Sequence, residues 1–60
     1  MLTDYNIKLQ LEHNNRIYNV EQILSYRVNK QTYKNEYLIK WLDWDDTYNS
    51  WELEDNLSCL

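Results

Sequence analysis

The stretch "EYLIKWLDWDDTYNSWE", Glu36 to Glu52, decides how this chain folds. It holds all three tryptophans of the sequence, two tyrosines and several acids. Tyr37, Ile39 and Trp41 alternate with Leu38, Lys40 and Leu42, the period of a β-strand. Leu38 and Leu42 make the second face partly apolar, which predicts a curled sheet covered on more than one side. "DWDDTYNS", residues 43–50, gathers turn-forming residues, and "SWEL", 50–53, reads as a short strand beyond it. Tryptophans this dense either build a core or form a surface that grips something.

Working outward, "RIYNVEQILSYRV", residues 16–28, is rich in strand formers, and "NKQTYKN", 29–35, links it to the tryptophan stretch. The chain has no Gly and no Pro, so turns must be read from Asn, Asp, Ser and Lys. Three strands joined by compact turns predict a small, mainly β, antiparallel meander. No amphipathic helix of ordinary length is evident, nor any repeat, linker or low-complexity tract.

The N-terminal segment has the cleanest pattern. In "DYNIKLQLEHNN", Tyr5, Ile7, Leu9 and Leu11 alternate with Asn6, Lys8, Gln10 and Glu12. Asn tolerates the positive φ that a two-residue hairpin turn demands, so Asn14-Asn15 is the candidate turn. That turn places Leu11 opposite Tyr18, Leu9 opposite Val20 and Lys8 opposite Glu21, so that apolar meets apolar and opposite charges meet. Residues 5–12 are therefore expected to form an extra strand along the first strand of the domain. On this reading residues 1–15 are an N-terminal extension and residues 16–60 the domain proper.

Composition limits the chemistry. Sixty residues make one domain, whose small core depends on large side chains; three Trp and six Tyr supply them. A single cysteine, Cys59, allows no internal disulfide and suits a reducing compartment. One Cys with one histidine, His13, does not make a zinc site. No secretory signal or membrane-spanning apolar run is visible. These features predict a soluble intracellular domain with no metal, no cofactor and no membrane partner. The net charge of −4 counts against nucleic acid and suits a basic partner. "DWDDTYNS" lacks the Gly and closing Glu of a calcium loop. His13 has no triad partners, and a Glu52/Glu54 carboxylate pair would have no deep pocket to work in. No enzyme is expected.

"IYNVEQIL", "EYLIKWLDW" and "NSWELEDNL", in this order across residues 17 to 57, together resemble a chromodomain. Several linked motifs make the resemblance specific. It implies that Tyr18, Trp41 and Trp44 form an aromatic cage around a methylated lysine, while Trp51 packs into the core. It implies that a histone tail binds as an added strand between the first strand and the closing segment. Val20 would then line a pocket for the small residue two before the lysine, and Glu52, Asn56 and Ser58 would hold the peptide. The partner implied is a methylated histone tail, with lysine nine of histone three foremost, and the location is nuclear chromatin. Such modules tether larger proteins, including methyltransferases and retrotransposon integrases.

Four departures stand out. "NNRI" precedes Tyr18 where many members are acidic. Leu42-Asp43 stands where Lys-Gly is common, and Leu53 where Pro is usual. Members end in an α-helix across the sheet, whereas "NLSCL" lies where that helix would begin, so it is expected to be absent or truncated here. The N-terminal strand falls on the edge the histone peptide uses. This raises a second reading: a chromo-like structural or dimerisation module, its groove filled by residues 5–12 or its strand exchanged with a second copy.

Overall fold

The computed structural model describes residues 9–59, and the fold is mainly β. Five antiparallel strands follow in the chain: β1 (Leu9–His13), β2 (Arg16–Val28), β3 (Asn35–Trp41), β4 (Ser50–Leu53) and β5 (Ser58–Cys59). Their order across the sheet is β4-β3-β2-β1-β5. Two short 3₁₀ helices, Asp46–Tyr48 and Glu54–Asn56, flank β4.

The β2-β3-β4 meander forms as its alternating pattern predicts. The N-terminal hairpin forms as well. Asn14 and Asn15 sit at φ 51° and 63°, and Leu11 pairs with Tyr18. Residues 5–8 of the expected strand, with Lys8 expected opposite Glu21, lie outside the described residues, and the observed pairs run from Gln10 with Asn19 to His13 with Arg16 without the expected pairing of Leu9 with Val20. The short strand β5 has no counterpart in the sequence reading: Ser58 pairs with Gln10 and Cys59 with Leu9.

The thirteen-residue β2 serves both ends of the sheet. Its first residues pair with β1 and the rest, from Val20, with β3. Two register shifts fall between Val20 and Gln22 and between Ile23 and Ser25. Each inserts one residue, bends the strand and increases its twist. The shifts also explain why Tyr18, Val20 and Ile23, which pack against the core, are spaced two and then three residues apart.

Tyr37, Ile39, Trp41 and Leu57 form the core, with Ile39 fully buried. The second face of β3 is less covered than its pattern suggests, since Leu38 is half-buried and Leu42 exposed. Trp51 corrects the expectation of a core tryptophan: it is 36% exposed. Its partner across the edge is Leu38, which lies on the face of β3 opposite Tyr37 and Ile39. There Trp51 carries the Arg27 guanidinium 4.0 Å from its ring centroid, a cation–π contact.

Arg27 also pairs with Glu36 at 2.6 Å, holding the Glu36 carboxyl below the usual carboxylate range, with Asn29 assisting. The ionised pair thus favours the fold above the ordinary glutamate pKa, about 4.3, and that support is lost as the pH falls through the lower folded value. Thermal melting followed between pH 7 and 3 should show a smaller acid loss for Glu36→Gln than for the unaltered chain.

Candidate functional site

A cavity of about 430 Å³ opens where β1, β2, β3 and the loop before β4 meet. Leu11, His13, Tyr18, Trp41, Trp44, Tyr48, Ser50 and Glu52 line it. Three of the four aromatic walls are the residues singled out from sequence.

Each wall has a local cause. Tyr18 is half-buried on β2, two residues before Val20, which pairs with Trp41. Trp41 ends β3 at 8% exposure. Its indole Nε1 donates to Ser50 Oγ at 3.0 Å, and the Ser50 hydroxyl donates to Glu52 Oε2 at 2.6 Å. This relay fixes the rotation of the indole and holds a carboxylate on the cavity wall. The Trp44 backbone N–H donates to the Trp41 carbonyl at 3.2 Å, closing a turn through Asp43 at φ 68°. The tight turn carries Trp44 back over the cavity. It also explains why glycine is common at this position in the family the sequence resembles: the backbone is left-handed there, and Asp tolerates it better than most residues.

The Tyr18 ring is inclined to both tryptophans, not stacked on them. Tyr18 lies 6.3 Å from Trp41 at 70° and 6.3 Å from Trp44 at 53°. Trp44 remains 42% exposed. Tyr48, which the sequence reading passed over, packs edge-on against Trp44 at 5.1 Å and 70°. It is delivered by the 3₁₀ helix 46–48, whose start is capped by Asp45. The Thr47 hydroxyl and backbone N–H, both bonded to Asp45, hold that carboxyl below the usual range, and Lys40 adds to the effect. Its place inside a turn "DWDDTYNS" hid Tyr48, because the loop's path is not readable from residue types.

The other expected site residues divide. Glu52 lines the cavity. Val20 is half-buried against the core beneath it. Asn56 is exposed on the 3₁₀ helix 54–56, and Ser58 is exposed on β5. Glu54 belongs to the scaffold, accepting from the Tyr37 hydroxyl at 2.8 Å and from Asn35 Nδ2 at 3.1 Å. Among the described residues no cluster of His, Cys, Asp and Glu is arranged to hold a metal. No described helix is long and apolar enough to cross a membrane.

The chromo (chromatin organisation modifier) domain family model matches residues 18–60. The chain belongs to that family. Chromo domain-containing protein 1 of Schizosaccharomyces pombe is 54% identical over 41 residues, 68% of this chain and 4% of that protein. Chromo domain-containing protein cec-1 of Caenorhabditis elegans is 49% identical over 41 residues, 68% of this chain and 13% of its own length. Heterochromatin protein 1 of Drosophila melanogaster is 48% identical over 42 residues, 70% of this chain and 19% of that protein. The chain thus corresponds to less than a fifth of each of these curated relatives.

The left-handed turn gives a direct check. Asp43→Val should lower stability by about 1–2 kcal/mol in urea melts, because a β-branched residue is strongly disfavoured at positive φ. Asp43→Gly should cause no such loss.

Proposed function

We propose that this domain is a non-enzymatic reader of a methylated lysine in a histone tail. The observation that carries the reading is the set of three rings around one open cavity, Tyr18 inclined to both Trp41 and Trp44. A trimethylated ammonium keeps its charge but has no N–H to donate, so a carboxylate alone binds it poorly. The negative faces of aromatic rings attract it, at about 0.5–2 kcal/mol for each contact. Tyr48 extends the wall beside Trp44, and the Glu52 carboxylate adds negative potential.

The rest of the tail would lie extended along the sheet, with backbone hydrogen bonds supplying affinity and side-chain pockets supplying choice. Val20 would face the small residue two before the lysine. Glu52, Asn56 and Ser58 are assigned to the peptide backbone and polar side chains. The net charge of −4 favours a basic tail over nucleic acid. By family, lysine nine of histone three is the first candidate, in the chromatin of the nucleus, with this module (residues 16–60) tethering a larger protein.

The structure changes the choice of test residue. Trp41 is also a core residue, so its removal confounds folding with binding. Trp44 is the cleaner probe. In a calorimetric titration, a trimethyl-lysine-nine histone peptide should bind in the micromolar range and the unmethylated peptide should not. Trp44→Ala should weaken binding by about tenfold or more, and Tyr48→Ala by less, with urea stability little changed. Equal binding of methylated and unmethylated peptides would defeat the reading.

A further inference from the structure

We propose that β1 is a built-in, displaceable occupant of the slot between β2 and β5, so that the chain itself fills the strand position a peptide ligand would need. The proposal deepens the reader assignment above, since the competing ligand would be the methylated tail.

The sheet order supplies the first argument. β1 is hydrogen-bonded to β2 on one side and β5 on the other, antiparallel to both. Leu11 pairs with Tyr18 and lines the cavity. A peptide that ran along this edge of β2 and offered a lysine to Tyr18 and Trp44 would need the register position Leu11 now holds. The sheet's two outer edges are β4, whose Trp51 is engaged by Arg27 and does not line the cavity, and the two-residue β5, which contributes no residue to the cavity. A strand ligand therefore has to take the place of β1.

The second argument is that β1 is fitted for removal. The contiguous buried cluster of Tyr37, Ile39, Trp41 and Leu57 is complete without β1, which adds Leu11 packed against it and a separate buried residue, Leu9. β1 joins the domain through the two-residue turn Asn14-Asn15, so it can peel away about that hinge. Among the described residues it pairs with β5 at two positions. It is also an imperfect occupant. The Gln10 side-chain oxygen Oε1 is buried and finds no hydrogen-bond partner among the described residues, a cost that favours release. Opposing release, Leu9 is 6% exposed and anchors the strand.

A tethered occupant lowers apparent affinity by the fraction of time it is docked. If β1 is docked in roughly nine molecules of ten or more, a peptide binds about tenfold or more weakly than it would to the open slot. The slot thereby selects a partner able to replace a whole strand.

The test uses the full chain. Glu12 and Ile17 are exposed partners across the hairpin. Glu12→Cys with Ile17→Cys, in a Cys59→Ser background, would lock β1 onto β2 by a disulfide. Leu9→Asp would release it by placing a charge in a buried position. Two fluorescent probes are titrated: the trimethyl-lysine-nine histone peptide and a synthetic peptide of residues 5–13. The expected result is at least about tenfold weaker histone-peptide binding in the oxidised lock than after reduction. Leu9→Asp should bind both probes more tightly than the unaltered chain. Equal binding by oxidised and reduced forms would overturn the proposal. So would a Leu9→Asp chain with an intact near-ultraviolet tryptophan signal that takes up neither peptide. A Leu9→Asp chain that captures the 5–13 peptide but no methylated peptide would uphold the occupied slot and refute the methyl-lysine reading instead.

Discussion

The Trp41 indole stands at the junction of everything else in this domain. One side of the ring packs with Tyr37, Ile39 and Leu57, and another closes the cavity beside Tyr18. Its N–H is the first link of the chain through Ser50 to Glu52. The described strands are few, so the same side chains build the core and the cavity wall. One large amphipathic residue serves both, because its apolar body can be buried while its polar atom finds a partner. The rigidity of the core thereby becomes the rigidity of the cavity wall.

The choice posed by the three tryptophans has an uneven answer. Trp41 both holds and faces the cavity, Trp44 faces it at 42% exposure, and Trp51 does neither. Trp51 lies on the outer face because β4 pairs Leu38 with Trp51 and Tyr37 with Glu52. A shift of one residue in that register would exchange Trp51 and Glu52 between the faces. The same pairing that exposes Trp51 therefore brings the Glu52 carboxylate into the cavity.

The left-handed turns at Asn14-Asn15 and at Asp43 do comparable work on opposite sides of the site. The first folds β1 back along β2, and the second folds Trp44 back toward Trp41. Neither uses glycine, since the chain has none. Both rely on short polar side chains, the residues that accept positive φ at least cost after glycine. The site is thus assembled by turns that a glance for Gly and Pro would miss.

Much of this was legible in the sequence. The alternation of Tyr37, Ile39 and Trp41 set the core face of β3, and the Asn14-Asn15 turn fixed the pairing of Leu11 with Tyr18, because both follow from local stereochemistry. The linked motifs from Ile17 to Leu57 placed the chain beside the chromodomains. What only the tertiary structure decided depends on contacts between distant segments. The two extra residues in β2 bend the strand, yet they leave no mark in composition. The outward face of Trp51 follows from strand register, and the approach of Tyr48 to Trp44 from the path of a loop. The seating of β1 against β5 joins the two ends of the described chain, a pairing that no local pattern encodes.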